Sequence, residues 1–91
     1  MSSQQETIKI THSSGLHARA STEFVRLAQR FSAAISVSRI GGSTVDGKST
    51  IAVMTLGAQL GDEIMIETSG SDAEQALAAL TELVRLDFHG V

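Results

Sequence analysis

The sequence predicts an α+β fold in which a four-stranded antiparallel sheet is covered on one side by helices, an open-faced β-sandwich. Two long segments show the 3.6-residue spacing of amphipathic helices, and short segments between them alternate polar and apolar residues. Glycine-containing turns separate these segments in the order β-α-β-β-α-β-α. A chain of 91 residues suits one small hydrophobic core, so residues 1–91 are expected to form a single domain.

The first half of the chain contains three predicted strands and one long helix. Residues 7–11 alternate polar and apolar side chains, as do residues 35–38, which predicts two half-buried strands. Gly41-Gly42 predicts a tight turn into a short third strand around Thr44-Val45, so the second and third strands should pair antiparallel. A helix is predicted from Ala18 to Phe31, and its apolar stripe consists of Ala20, Phe24, Leu27, Ala28 and Phe31.

The second half contains a short helix, a strand and the second long helix. The short helix is predicted from about Ser49 to Gly57, a natural residue for a helix C-terminus. After the turn at Gly61-Asp62, residues 63–67 predict the fourth strand. Residues 71–74 match a capping box with Ser71 as the N-cap, and the helix that follows has the stripe Ala73, Ala76, Leu77, Leu80, Leu83, Val84 and Phe88.

Composition excludes several classes of function. Seven basic residues against ten acidic ones give a net charge of -3, which disfavours binding to a nucleic-acid backbone. The aromatic residues are three Phe, too few for base-stacking platforms, and there is no Cys for a disulfide, a thiolate metal site or a Cys nucleophile. The polar N-terminus lacks the features of a signal peptide, and no apolar run is long enough to span a membrane. A cytoplasmic protein is therefore expected.

The segment from Gly15 to Arg19 is the first candidate for chemistry. His17 stands at the first turn of a predicted helix, where free N–H groups and the helix dipole favour a negative group. A neutral imidazole can attack phosphorus, and the phosphoryl group would lie over the backbone N–H groups of Ala18 and Arg19. The Arg19 guanidinium adds a bidentate partner for its oxygens. The alternative that His17 merely caps the helix is equally compatible with this spacing.

Residues 42–49 match the P-loop pattern G-x-x-x-x-G-K-[ST], which raises the alternative of a small nucleotide hydrolase. A P-loop joins a buried parallel strand to a helix and needs a metal-positioning Asp after another strand. Here the residues before Gly42 form a hairpin arm, and Val45 is better explained as a strand residue. The match is therefore interpreted as coincidental.

Ser49 has two interpretations, as the N-cap of the short helix or as a regulatory phosphorylation site. Two groups of residues beside His17 are candidates for a docking surface or, alternatively, for further core packing. One group lies on the predicted outer side of the first long helix and the other on the outer side of the short helix. They are Ala18, Thr22, Val25 and Gln29 in the first group, and Thr50, Ile51 and Met54 in the second.

The remaining histidines, His12 and His89, are expected to be solvated side chains, since one follows a strand and the other lies near the end of the chain. Three His without supporting carboxylates at metal-ligand spacing give no good zinc site, so no metal is expected.

Several short motifs, taken together, resemble the HPr family, the histidine-containing phosphocarrier proteins of the bacterial sugar phosphotransferase system. The likeness covers about the whole chain and includes Gly15–Arg19, Phe24-Val25, Phe31, Gly47–Ser49, Val53–Gly57 and Gly70–Asp72. It implies an open-faced β-sandwich of βαββαβα order, in agreement with the order above. It also implies that His17 takes a phosphoryl group on Nδ1 from enzyme I, which is charged by phosphoenolpyruvate, and passes it to enzyme IIA domains.

The resemblance implies roles for other residues as well. Arg19 matches the arginine that steadies the phosphate, and Ser49 matches the serine modified by HPr kinase/phosphorylase in many bacteria. Thr50, Ile51 and Met54 match the docking patch beside that serine, and Thr22 and Val25 are expected to extend it. The expected protein is a monomeric phosphoryl carrier, not an enzyme, and needs no cofactor. A regulatory paralogue in a nitrogen-related phosphorelay is the alternative.

Two departures from the family pattern bear on the site. Ala20 stands where the family usually has Pro, which predicts a helix with a looser first turn, because Ala forms helices well but does not fix φ. Thr50-Ile51-Ala52 replaces the commoner Ile-Met-Gly, which weakens the expectation that a kinase recognises Ser49 more than it affects His17.

Overall fold

The computed structural model describes residues 3–91, and the segments that it forms follow the predicted order. The strands are β1 (Ser3–Lys9), β2 (Ala34–Arg39), β3 (Thr44–Asp46) and β4 (Glu63–Ser69). The helices are α1 (Ala18–Ala28), α2 (Thr50–Thr55) and α3 (Ala73–Arg85), followed by a short helical turn at Asp87–Gly90. Within this described part of the chain, no helix combines the length and the apolar character needed to cross a bilayer.

The four strands form one antiparallel sheet with the order β1-β4-β2-β3. In β4, Ile64 and Ile66 are fully buried, while Met65 and Glu67 on the opposite face remain partly exposed. Helix α3 packs on β1 and β4, and α1 packs on α2 and α3. The expected open four-stranded sheet, covered by helices on one side, is confirmed.

The core contains most of the predicted helix stripes and the inward side chains of the sheet, while Leu27 and Phe31 are partly buried and pack against it. Phe24 in α1 and Leu80 in α3 are among the largest fully buried side chains. Val25 is also buried, at 3% exposure, so its expected place on a docking surface is wrong. The reason is that α1 contacts α2 on one side and α3 on another, and therefore buries a wider arc than a single stripe predicts.

Helix α1 ends earlier than predicted, at Ala28 rather than Phe31. The N–H groups of Arg30 and Phe31 bond to the carbonyl groups three residues before them, at 3.0 and 3.2 Å, so the chain tightens beyond the α-helix. Ala20 lies inside α1 and is fully buried, which shows that the helix forms without proline there. Strand β1 starts at Ser3 because it pairs along the full length of β4.

The start of α3 corrects the predicted capping box. The N-cap is Asp72 rather than Ser71, which is exposed, and the Asp72 side chain does not cap its own helix. Its carboxylate accepts the backbone N–H groups of Ser32 and Ala33, both at 2.8 Å. The hydrogen bond from Ser32, above all, lowers the pKa of Asp72, against a smaller opposing effect of desolvation. Asp72 therefore joins the entry of β2 to the start of α3.

Phe88 lies beyond α3, in a segment that we call the C-terminal hook (residues 87–91). Asp87, Phe88 and His89 have φ values of +52°, +55° and +59°, a left-handed run that costs about 1–2 kcal/mol per L-residue. The Phe88 ring is fully buried, and the Thr11 hydroxyl donates to the Asp87 carboxylate at 2.5 Å. These contacts hold the chain in a turn that local sequence preference disfavours, and they bring Val91 back to the start of α1.

Candidate functional site

His17 is the N-cap of α1, with extended backbone angles of φ -70° and ψ 179°. The preceding residues are fixed against another loop, because the Leu16 N–H donates to the Ala58 carbonyl at 2.9 Å. Gly15 has φ +62°, and a Cβ at this position would lie 2.5 Å from the Ala58 oxygen. Only glycine therefore permits the close approach that sets the position of His17.

Both ring nitrogens of His17 have hydrogen-bond partners. Nδ1 accepts the backbone N–H of Arg19 at 3.3 Å, and Nε2 lies 3.2 Å from the main-chain oxygen of Val91. Because a backbone N–H can only donate, the bond to Arg19 requires an unprotonated Nδ1. The proton of the neutral imidazole is then on Nε2, and the Val91 oxygen accepts the hydrogen bond from Nε2–H. This network leaves the unprotonated ring nitrogen at Nδ1, which faces the start of the helix.

The surroundings of Nδ1 favour an anion. The first turn of α1 contains no acidic residue, and the N–H groups of Ala18 and Ala20 have no acceptor within the helix. Arg19 is exposed and, among residues 3–91, forms no ion pair with a carboxylate. An open depression of about 340 Å³ lies here, lined by Ala18, Arg19, Thr22, Glu23 and Val91. A phosphoryl group on Nδ1 would meet backbone donors and the exposed Arg19 side chain, with Glu23 as the acidic residue of the lining.

His12 is a member of this site that sequence reasoning missed. It is half-buried rather than solvated, and its ring centroid lies 5.0 Å from that of His17. Its Nε2 is hydrogen-bonded to the same Val91 oxygen, and its Nδ1 accepts the Ser14 N–H at 3.0 Å. The His12–Val91 bond joins residues 79 positions apart, so no local pattern could have predicted it. His89, by contrast, is exposed as expected.

The two Nε2 atoms converge on one oxygen, which raises the question of a metal ion. A metal-bound neutral imidazole keeps a proton on its other nitrogen and donates it to an acceptor. In both rings Nδ1 instead accepts a hydrogen bond from a backbone N–H, of Ser14 or Arg19. Neither ring therefore has the Nδ1–H donor that an Nε2-bound metal ligand uses. Within residues 3–91, no group of three or more His, Cys, Asp or Glu side chains could hold a metal.

Comparison with known proteins places the chain in a family. Residues 4–85 match the family described as PTS HPr component phosphorylation site. The chain belongs to the HPr family. It is 43% identical over 81 residues to phosphocarrier protein HPr of Pseudomonas aeruginosa, which covers 89% of this chain and 90% of that protein. Membership in the HPr family therefore supports a phosphocarrier role in the phosphotransferase system for this chain.

Solved HPr structures have the same fold. HPr-C-His from Thermoanaerobacter tengcongensis superposes with a TM-score of 0.89 at 35% identity, covering 94% of this chain and 96% of that one. A phosphocarrier protein HPr from Bacillus anthracis gives a TM-score of 0.84 at 39% identity, covering 90% and 96%. The fold expected from the resemblance to the HPr family is therefore confirmed.

Ser49, the serine of the HPr resemblance, is the N-cap of α2. Its backbone is extended, and its Oγ accepts the Ala52 N–H at 3.3 Å. The side chain is half-buried, and it is therefore in part accessible from solvent. The structural interpretation of Ser49 as a helix cap is thus confirmed, while its modification stays a prediction.

The residues of α2 that are expected to form a docking patch lie on its outer side. Ile51 is 77% exposed and Met54 is 42% exposed, whereas Val53 is fully buried. Thr50 in α2 and Thr22 in α1 are half-buried. Since α2 packs against α1, apolar and small polar side chains of both helices are accessible on adjacent elements. Val25, buried in the core, is not among them.

Residues 42–49 do not form a P-loop in this HPr fold. The N–H groups of Gly42 and Gly47 donate to the carbonyl groups of Arg39 and Ile35, both at 2.8 Å. The Lys48 N–H donates to the Asp46 carboxylate, and its ammonium donates to the Phe31 carbonyl at 2.7 Å. The donors that would surround a nucleotide phosphate are therefore bonded within the protein, so the geometry excludes the nucleotide-hydrolase alternative.

Proposed function

We propose that residues 1–91 form a single HPr-like phosphocarrier domain that accepts a phosphoryl group on Nδ1 of His17. Enzyme I, charged by phosphoenolpyruvate, is the donor, and enzyme IIA of the phosphotransferase system is the acceptor. The protein is then a substrate of one partner and a donor to the next, rather than an enzyme. The supporting observation is the bonding of His17, whose Nδ1 faces the helix start unprotonated while Nε2–H is bonded to Val91.

The transfer needs no base to activate His17. The Nδ1 lone pair attacks phosphorus, a bond from Nδ1 to phosphorus forms, and the bond to the enzyme I leaving group breaks with its electron pair. No proton has to leave Nδ1, because the proton of the ring is on Nε2. The Arg19 N–H, which donates to Nδ1 in the free protein, becomes available to a phosphoryl oxygen.

Backbone donors and one cation stabilise the new negative charge. The N–H groups of Ala18 and Arg19 lie in the first turn of an 11-residue helix, whose N-terminus favours an anion. The Arg19 guanidinium can form two parallel hydrogen bonds to phosphoryl oxygens. Because Arg19 is exposed, it can also accompany the phosphoryl group as it passes to the next protein.

The partners dock on Thr22, Thr50, Ile51 and Met54. Exposed aliphatic and thioether side chains gain free energy when a partner removes them from water, and Met adapts to partners of different shape. Enzyme I and enzyme IIA can therefore use the same patch in turn. Ser49, at the start of α2, is a regulatory site for HPr kinase/phosphorylase, because a phosphate there would add about two negative charges beside this patch.

The test is incubation with enzyme I and phosphoenolpyruvate, followed by mass spectrometry of the labelled peptide under alkaline conditions. We expect one acid-labile phosphoryl group on His17 and none in His17→Ala, with the far-UV circular dichroism of the variant unchanged. His89→Asn is the matched control, since it removes another histidine while Asn tolerates the left-handed backbone there. Full labelling of His17→Ala would refute the assignment.

A further inference from the structure

The Val91 main-chain oxygen accepts hydrogen bonds from two histidines, Nε2 of His12 and Nε2 of His17. We propose that His12 is a positioning residue of the phosphoryl site, which holds the Val91 oxygen in place and thereby fixes the orientation of the His17 ring. The proposal rests on the proposed function of His17. It assigns a role to a residue that neither the sequence pattern nor the family match singles out.

The first step of the argument is that the two rings have the same bonding pattern. Each Nδ1 accepts the backbone N–H two residues later, of Ser14 in one case and of Arg19 in the other. Each Nε2 then carries the ring proton and donates a hydrogen bond to the Val91 oxygen. A main-chain oxygen has lone pairs enough to accept both bonds. The pair is thus fully satisfied when both histidines are neutral, with their protons on Nε2.

The second step is that the hook cannot hold Val91 by local preference. Three consecutive L-residues, at positions 87–89, have positive φ, a backbone conformation that persists only when surrounding contacts stabilise it. Phe88 and Asp87 anchor the base of the hook, but Val91 lies three residues after Phe88 and is half-buried. The hydrogen bonds from the two histidines are the side-chain bonds that hold its oxygen.

The third step concerns the ring of His12 itself. It is packed between two other rings, with centroids 5.0 Å from His17 and 6.2 Å from Phe88. Its position is therefore set by these two ring contacts as well as by the bonds to Ser14 and Val91. The His17 ring contacts His12 directly and bonds to Arg19 and Val91, so the ring contact and the shared oxygen both connect its orientation to His12.

The fourth step is that this support persists through transfer. Phosphorylation takes place on Nδ1 of His17 and leaves Nε2–H free to donate to Val91. His12 therefore supports the acceptor and the phosphorylated state alike, from the side of the ring opposite to the phosphoryl group. Because His12 is not part of the docking patch, we expect it to affect kcat of the enzyme I reaction rather than KM. A misplaced nucleophile lowers rates by as much as about 100-fold.

Two substitutions separate orientation from simple loss of packing. In His12→Gln the amide nitrogen is as many bonds from Cα as Nε2 of histidine, so it can still donate to Val91. In His12→Asn the amide reaches only the position of Nδ1, which can bond to Ser14 but not to Val91. We expect roughly a tenfold lower kcat for His12→Asn with KM unchanged, and recovery of most of the rate in His12→Gln.

Nitrogen NMR of the histidine rings provides a readout that does not require phosphorylation. In the wild-type protein both rings should show the Nε2–H tautomer at neutral pH, and the His17 Nε2 proton should exchange slowly with solvent. In His12→Asn this proton should exchange faster, and His12→Gln should restore the protection. If wild type accepts no phosphoryl group but shows these spectra, the proposed function fails while the positioning role stands.

Three results would overturn the proposal. The first is a wild-type spectrum in which either ring has its proton on Nδ1. The second is a His12→Asn variant with wild-type kcat and wild-type exchange of the His17 proton. The third is a His12→Gln variant as impaired as His12→Asn, because that would assign the loss to packing of the ring. Urea unfolding of all three proteins gives the folded fraction by which each rate is corrected.

Discussion

The starts of α1 and α2 are alike in local geometry and differ in what holds them. His17 and Ser49 are both N-cap residues with extended backbone, and each side chain accepts a first-turn N–H at 3.3 Å. The Ser49 hydroxyl is bonded to Ala52 within its own helix. The His17 ring is held in addition by the hook, through Val91, and its backbone follows a glycine packed against Ala58.

This difference shows how one local motif serves two purposes. A cap needs only an acceptor near the first N–H groups, which any Ser, Thr, Asp or Asn supplies. The nucleophile that we propose at His17 needs a defined tautomer and a fixed direction as well, and Val91 and the Gly15–Ala58 contact provide remote support there. Changes to the remote supports of α1 should therefore have larger effects than changes to the cap of α2.

The largest effect is expected for Gly15→Ala, which disrupts the contact between Gly15 and Ala58 that supports the start of α1. The new Cβ would lie 2.5 Å from the Ala58 oxygen and 2.7 Å from Gln59 Cα, both backbone atoms that cannot move cheaply, and φ is +62°. The left-handed backbone costs about 1 kcal/mol and overpacking a further 1–3 kcal/mol, so we expect roughly 2–4 kcal/mol lower free energy of unfolding. Urea unfolding at neutral pH measures it.

The matched control is Gly41→Ala in the β2–β3 turn. Its φ is +82°, but a Cβ would meet nothing within 4 Å, so only the conformational cost of about 1 kcal/mol remains. Equal losses in the two variants would contradict the view that close packing against Ala58 sets the start of α1.

The next effect, on function, is expected for Arg19→Ala. A charge-assisted hydrogen bond contributes about 1.5–3 kcal/mol, which corresponds to roughly 10- to 150-fold slower phosphoryl transfer. Transfer should continue, because the backbone N–H groups remain. Initial rates with limiting enzyme I measure the effect, and Arg26→Ala is the control, since Arg26 lies on the same helix and pairs with Glu23. Equal rates for wild type and Arg19→Ala would exclude a role for the guanidinium.

At the start of α2, two substitutions of Ser49 should separate its effect on stability, as a helix cap, from its effect on partner docking. Ser49→Ala removes the acceptor of the Ala52 N–H and should cost about 1 kcal/mol of stability while phosphoryl transfer is preserved. Ser49→Asp keeps an N-cap acceptor but places a charge beside exposed Ile51 and Met54, which a partner must desolvate. We expect a higher KM for this protein with enzyme I, and an unchanged KM would place the docking surface elsewhere.

Local patterns in the sequence predicted the elements and the position of His17 at a helix start. The stripes of α1 and α3 and the cap at Ser49 depend on residues a few positions apart, so periodicity and capping preferences were sufficient. The burial of Val25 and the His12–Val91 hydrogen bond depend on which segments pack together, and no short window of sequence contains that information. The left-handed hook runs against local preference altogether.

The third helix start has the smallest expected effect and a pH dependence of its own. Asp72 occupies the N-cap position of α3, yet its carboxylate accepts the N–H groups of Ser32 and Ala33 from outside the helix. The Ser32 bond lowers the pKa of Asp72 below its ordinary value of 3.8, so the folded state favours the ionised form. The stabilisation is therefore complete above that value and is lost as the pH falls through the lowered pKa of the folded state.

We expect Asp72→Asn to be less stable than wild type at pH 7, because a neutral amide forms weaker bonds and its oxygen alone must serve both N–H groups. The difference should shrink below pH 4, where the wild-type carboxyl becomes protonated and loses the same advantage. Urea midpoints at pH 7, 4 and 2.5 measure this trend. Glu74→Gln is the control, since it removes a charge from the first turn of the same helix without touching Ser32 or Ala33. A stability difference for Asp72→Asn that stays constant with pH would show that the shape of the side chain, rather than its charge, joins β2 to α3.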